Sequence, residues 1–518
     1  MEHMFDMAAV TTEGLEALVS ALSRVGSDDE SDQVRVDQLA VLERVKSAVA
    51  AAQVRVTAAF VDSQEQVAQA WSQRARECSD AGDFDGWRAA REHARAASFD
   101  DDEGSDGGEQ GGSPRRLRLR HCRPSRLTGV AAQVALARHE SPFRGAGHVR
   151  LALALTRQMP HTLAALEAGE LSEWRAQIIV RETAALTSEQ RTLVDAEVVG
   201  DPAQPVAGLG DRELAQRVRA VAYRIDAASV MARAAKAEAD RRVTLRPAPD
   251  TMAYLTALLP VAQAVAAHAA LVAAADSARA AGDDRGKGQV MADTLVTRLT
   301  GQDSADAVPV EIQLVMTDEA LLADDDTPAH VTGYGPVPAA WVRDLLTRLH
   351  HATSPATGDA GARAANVWLR RLFTHPDTGT LVAMDSVRRT FDGGLRRYLL
   401  TRDAGTCRTP WCDAPARHLD HIRDHAHGGP TTDTNGQSLC VRCNHTKQLP
   451  GFTATTHTDT TTGQQPGAPH TVQTTTPTGH TYTSHAPPLL PARPPSPPDH
   501  NQPDLSPLEH ALTLALVA

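Results

Sequence analysis

The sequence lacks a basic start followed by an apolar run: it opens MEHMFDMAAV, so no secretory signal is expected. It also lacks an apolar stretch of bilayer length. The longest, such as Val261–Ala275, are Ala-rich, broken by His or Gln, and short of a span. These absences point to a soluble, cytoplasmic protein without a membrane partner. Six cysteines in 518 residues are too few for a disulfide scaffold. No P-loop, nucleotide-binding glycine fingerprint or repeat of fixed period is present, which sets aside those classes. Excess basic charge is missing too. The formal net charge is −12, which argues against a surface that grips nucleic acid everywhere.

Charge must therefore be read by region. From Ser386 to Gln448 there are nine Arg and one Lys against six Asp and no Glu, leaving that segment at about +4 in an acidic chain. The length allows roughly two to four domains. Residues 30–97 carry apolar positions at helical spacing (Leu39, Leu42, Val45, Val49), which predicts long amphipathic helices across 1–99. Residues 100–114 are acidic and Gly-rich and read as a linker. Arg115–Arg126 then holds six Arg, read first as a solvated helix start beside the acidic loop and second as a nucleic-acid patch. Helical periodicity returns in Leu171–Ala185 and Asp211–Ala239, with a break at Gly200–Pro205. Residues 242–259 and 310–317 read as strands, as does Thr380–Met384, which leads into a basic element over Val387–Leu400. The region 115–385 is thus expected to be helical with a few strands. Beyond Pro450 the composition turns to Thr, Pro, His and Gln, so 451–518 is expected to be a largely disordered tail with one hairpin around Thr471–Ser484. The expected fold class is mainly α with a few strands (α+β).

Chemistry concentrates in CRTPWCDAPARHLDHIRDHAHGGPTTDTNGQSLCVRCNHTK, residues 407–447. Two cysteine pairs bracket it, Cys407/Cys412 and Cys440/Cys443, at C-x4-C and C-x2-C spacing. Two such knuckles supply four thiolates at tetrahedral geometry, a closed site that suits a structural Zn2+ and stabilises a module too small for a large core. Between the knuckles stand Asp420 and His421, then a Gly/Pro/Thr loop ending at Asn435, and after the last cysteine Asn444 and His445. Hydrolysis of a phosphodiester needs a base for water and a cation for the growing charge. A neutral His suits the first need. A carboxylate with a neutral oxygen or nitrogen donor suits the second. Closure of the knuckles predicts strand, loop, strand, then a helix opening near Val441. Asp420 and His421 alternate across a strand, so both serve one site only if the strand twists or ends there. His418, His425 and His427 read as solvated bystanders. Arg442, Lys447 and Arg402 are candidates for phosphate contact, with Arg396 and Arg397 beside them on the same rim.

This pattern resembles the ββα-metal HNH endonuclease motif, in the variety with zinc-binding knuckles and Asn in the last position. The resemblance implies a 386–450 nuclease module acting on DNA. His421 matches the general base, Asp420 a ligand of a catalytic divalent ion such as Mg2+, and Asn435 the middle residue that pins the loop and orients the base. Asn444 matches the second metal ligand, with His445, about 100° further round a helix, as its alternative. The run LSEWRAQIIVRETAALTSEQRTLVDAEVV (Leu171–Val199) is similar to the helical domain of unknown function 222, or 13E12-repeat region, that precedes HNH modules. The expected activity is metal-dependent hydrolysis of DNA. The competing reading is a catalytically inactive, zinc-stabilised DNA-binding or regulatory protein.

Overall fold

The computed structural model describes residues 11–97, 126–352, 391–456 and 469–489, apart from 24, 26–30, 204, 302–313, 318–319, 322–324, 332–333 and 392. The linker at 100–114, the Arg-rich run up to 125 and the strand expected at 380–384 lie outside these residues. The chain divides into two compact units, the first formed by Met1–Asp62 with His148–Ala232, the second by Ser63–Gly147 with Arg233–Ala518.

The first unit is helical. It holds α1 (Thr12–Leu22), the first part of α2 (Asp32–Asp80) and, after α3 (Phe84–Ala97) and α4 (Arg126–Ala137) of the second unit, most of α5 (Pro142–Gln158). It continues with α6 (Pro160–Ala168), α7 (Glu173–Glu182), α8 (Ser188–Val198), α9 (Asp211–Ile225) and the start of α10 (Ala227–Ala239). Its core joins Leu155, Met159, Leu166, Ile179, Val198 and Leu214, all wholly buried. Such closely packed aliphatics are the main stabilising contribution of a bundle. The stripe expected on α2 is displaced. Leu39 and Val49 are exposed, whereas Ala51, Val54 and Val61 face the core, because a helix this long outruns the core it crosses. Helix starts in this unit are capped from their own sequence or from a neighbour. Thr187 and Gln190 close a capping box on α8. The buried Asp195 accepts from the backbone N–H of His161 (2.7 Å) and Thr162 (2.9 Å), giving α6 the side-chain cap that Met159 cannot supply.

In the second unit the strands expected at 242–259 form a hairpin of β1 (Arg242–Ala248) and β2 (Met252–Leu258), turned by Asp250 and Thr251 at positive φ. Helices α11 (Val261–Ala280) and α12 (Lys287–Thr300) follow. Helix α11 runs for 20 residues and is apolar and long enough to cross a membrane by length and composition, so length does not exclude a span as the apolar run alone suggested. Short strands β3 (Leu314–Val315), β4 (Ala329–Val331) and β5 (Gly335–Val337) make an antiparallel sheet under α13 (Ala339–Ala352). Of the strand expected at 310–317, only Leu314–Val315 is extended among the described residues.

The C-terminal part begins with α14 (Gly393–Arg402), then β6 (His418–His421) and β7 (Gly436–Leu439) as an antiparallel pair, and α15 (Val441–Lys447). Strands β8 (Thr453–Thr456), β9 (Thr471–Thr475) and β10 (Thr481–His485) form a sheet in the order β10-β9-β8. The Thr/His-rich region therefore carries the expected hairpin and also a third strand, β8. Alternating Thr side chains suit an exposed pleat even where little core is available. Residues 457–468 and 490–518 are outside the described residues. Helix α4 buttresses this part: Ala132 packs on Leu449 and Phe452, and Thr478 donates to Gln133 at 2.9 Å. Gly129 sits where an added Cβ would lie 3.1 Å from Leu449, so the helix backbone passes close to that side chain.

Candidate functional site

The two knuckles meet. The sulfurs of Cys407, Cys412, Cys440 and Cys443 all lie within 4.8 Å of one another, with Cys412–Cys440 at 3.9 Å and Cys443–Cys412 at 3.7 Å. These separations are far too long for disulfides. They match the edges of about 3.8 Å that a tetrahedron with metal–sulfur bonds near 2.3 Å requires. The backbone N–H of Cys443 donates to Cys440 Sγ at 3.4 Å across the N-cap of α15. Hydrogen bonding among the sulfurs pulls Cys407 and Cys440 down and pushes Cys412 and Cys443 up from the usual thiol range. Four sulfurs this close cannot all ionise unless a cation joins them, and the cluster is shaped to hold one.

An ionic hub holds the knuckles to the rest of the module. Asp403 is wholly buried and accepts from Arg402 Nε (2.8 Å), Arg402 Nη2 (3.1 Å) and the Ser438 backbone N–H (2.9 Å). Arg402 also donates to the carbonyls of Asp433 (2.6 Å) and Gly436 (2.8 Å). It is 5 % exposed, so it braces the β-hairpin and is not placed for the phosphate contact that its charge suggested. Arg408 runs from the first knuckle to the C-terminal sheet, donating to the carbonyls of His470 (2.9 Å), Ser484 (3.0 Å) and His485. Burial pushes its guanidinium down to about 10. Neither Asp403 nor Arg408 stood out in the sequence, because nothing in an Arg-Asp dipeptide or a knuckle arginine marks it as buried.

Strand β6 ends at His421, meeting the condition that alternation imposed on Asp420 and His421. Beyond it Asn435 pins the returning loop. Its Oδ1 accepts from the Arg423 N–H (2.9 Å), and its Nδ2 donates to the carbonyls of Arg423 (3.0 Å) and Pro430 (2.8 Å). Gly429 passes so close that an added Cβ would clash with the Arg423 carbonyl. The loop is thus fixed from both ends at the point where the imidazole emerges. His421 Nε2 lies 2.9 Å from Thr431 Oγ1, and its ring packs at a tilt on Phe391, with centroids 4.5 Å apart. Burial lowers the His421 pKa, outweighing the opposing pull of Asp420, so the ring is neutral at pH 7. Of the loop histidines, His425 stands edge-on to His421 at 5.5 Å, while His418 and His427 are exposed.

Helix α15 faces this strand end. Lys447 Nζ donates to Asp420 Oδ2 (2.7 Å), to Asp424 Oδ1 (2.7 Å) and to the His421 carbonyl. Lys447 is therefore turned inward, not toward solvent as a phosphate contact would require. Asn444 lies one helical turn before Lys447, on the same face. Its Oδ1 is buried and, among the described residues, without a hydrogen-bond partner. A buried amide oxygen without a partner, on the helix face from which Lys447 reaches Asp420, is a hard donor of the kind a divalent cation takes. His445, the alternative ligand, projects about 100° away. Arg442 is exposed, with Nη1 on the Pro142 carbonyl at 2.9 Å. Arg396, Arg397, Arg417 and Arg423 are exposed as well. Asp424 and Thr431 are site residues that the sequence did not reveal, since only the folded loop carries them to Lys447 and His421.

No curated protein and no solved structure matches the chain. Two family models do. The HNH endonuclease model matches residues 405–448, the segment just described. The model for a domain of unknown function, DUF222, matches residues 116–377. Because that match covers 262 of the 518 residues, the chain belongs to the DUF222 family, here joined to an HNH endonuclease module.

Proposed function

We propose that this protein is a metal-dependent endonuclease that hydrolyses DNA phosphodiester bonds with its HNH module, stabilised by a four-cysteine Zn2+ site. The reading is supported by the buried, orphaned Asn444 Oδ1 one helical turn before Lys447, the lysine that grips the Asp420 carboxylate at the end of β6, together with the neutral imidazole of His421. Asp420 and Asn444 would hold one hard divalent ion such as Mg2+, which when bound supplies positive charge to the phosphate. His421 takes the proton from the attacking water through Nδ1, because Nε2 is engaged by Thr431. Thr431 fixes the ring, and Asn435 fixes the loop that carries it. The exposed Arg396, Arg397, Arg417, Arg423 and Arg442 supply a basic rim for the phosphate backbone, a sequence-independent grip.

The test is nicking of supercoiled plasmid by the purified full chain with Mg2+, Mn2+ or Ni2+. Cleavage that needs metal and falls by about 10²- to 10⁴-fold in His421→Ala supports the reading. DNA binding without cleavage under all three ions points instead to a non-catalytic DNA-binding module, and His421→Ala activity equal to wild type rejects the assigned base.

A further inference from the structure

Lys447 is the least expected feature of the site. An ammonium has three N–H donors, and here all three find acceptors: Asp420 Oδ2, Asp424 Oδ1 and the His421 carbonyl. Its side chain is only 11 % exposed and that of Asp420 17 %, so this is a largely desolvated ion pair and not a loose surface contact. Asp420 is also the carboxylate assigned to the divalent ion. Ammonium and dication both seek the same oxygen, and like charges at such range repel strongly in a partly buried site.

Resting on the nuclease reading above, we propose that Lys447 is a resident counter-cation of the catalytic-metal site, and that a divalent ion binds by displacing its ammonium from Asp420. Asp424, the more exposed partner at 36 %, retains the displaced ammonium near the site. Metal loading and the release of Lys447 are then one exchange. The module keeps its carboxylate neutralised until metal arrives, and each loading event turns a positive side chain toward the phosphate-facing side. The metal affinity is lower than the two oxygen donors alone would give, since every ion that binds must first break a buried pair.

The chain has four lysines, Lys46, Lys236, Lys287 and Lys447, which makes the exchange readable. In the zinc-loaded full chain, acylation of Lys447 by an amine reagent, followed by mass spectrometry, is expected to be slow and to rise about threefold with saturating Mg2+. The other three lysines should not respond, and Asp420→Asn should abolish the response. By calorimetry, Lys447→Met should bind Mn2+ about tenfold more tightly than wild type, whereas Lys447→Arg, which keeps the charge, should stay within about twofold. A zinc content equal to wild type shows that each variant has folded. A lysine that merely braces the fold predicts the opposite, weaker or unchanged Mn2+ binding in Lys447→Met. That result, or Lys447 acylation indifferent to Mg2+ while Asp420-dependent Mn2+ binding persists, overturns the proposal and leaves the nuclease reading standing. Absence of any Asp420-dependent Mn2+ binding overturns both.

Discussion

Arg402 and Asp403 are neighbours in sequence and partners in space: the guanidinium grips the carboxylate at 2.8 and 3.1 Å, and both side chains are almost wholly buried. The pair ties the end of α14 to β7 through the Ser438 N–H and the Gly436 carbonyl. Removing one member leaves an uncompensated buried charge, at about 3–5 kcal/mol, whereas an apolar replacement of both is cheaper. Asp403→Ala should therefore unfold the module more readily than the double variant Arg402→Met/Asp403→Leu. Urea midpoints of the two, followed with zinc content, check this ordering. A double variant less stable than the single one refutes it.

The four-sulfur cluster makes a second expectation about stability. Few aliphatics surround the knuckles: their buried cluster is Leu439 with the four cysteines. Metal binding energy then serves as folding energy. Cys412→Ser or a strong chelator should melt the C-terminal part, while the first unit, with its own core of Leu155, Ile179 and Leu214, retains its helical signal. Circular dichroism with metal analysis reads both. Retention of the module's thermal transition after complete zinc loss would falsify the structural role.

Much of this site was legible because its chemistry depends on spacing. The cysteine pairs, the Asp420–His421 dipeptide and the loop Asn435 are local signals, and tight turns bring them together with little choice. The order strand, loop, strand, helix followed from the same spacing. What the sequence withheld depends on packing partners distant along the chain. Arg402 looked like a rim arginine, because burial by Asp433, Gly436 and Asp403 is visible only once β7 has docked. Lys447 looked like a phosphate contact, because an i,i+3 relation to Asn444 says nothing of a carboxylate 27 residues away. Strand β8 was invisible in a Thr-rich run, since its pairing with β9 is non-local. On α2 the buried stripe runs through Ala51, Val54 and Val61 in place of Leu39 and Val49, because only its middle turns meet a core.

Asn435 provides a test of positioning as distinct from chemistry. Its amide makes three hydrogen bonds that fix Arg423 and Pro430, and none of the three goes to His421 or Asp420. Asn435→Ala should loosen the loop and lower kcat about 10- to 100-fold through misplacement of the imidazole, with KM for DNA little changed. Asn435→Asp keeps the acceptor for the Arg423 N–H and loses the two donations, so it should fall between wild type and alanine. Zinc content should be unaffected in both. A large KM effect with normal kcat would instead place Asn435 on the DNA.

Acid should act on this protein twice, through two histidines. The His421 pKa lies below the ordinary imidazole value of about 6.5 because of burial. With His421 as the proposed base the active form is the neutral ring, so the cleavage rate should rise with pH through one inflection below 6.5 and be level by pH 7. His470, beside Arg402 and Arg408, is held down to about 4, again chiefly by burial. Between about 6.5 and about 4 the unfolded chain binds this proton and the folded chain does not, so stability is full above pH 6.5 and declines as pH falls through that window. The loss amounts to a few kcal/mol at most. His470→Gln should flatten this stability decline while leaving the rate inflection in place. Stopped-time nicking assays and urea melts at matched pH separate the two effects. A rate inflection that moves with His470→Gln would mean that unfolding, and not the protonation of His421, limits activity in acid.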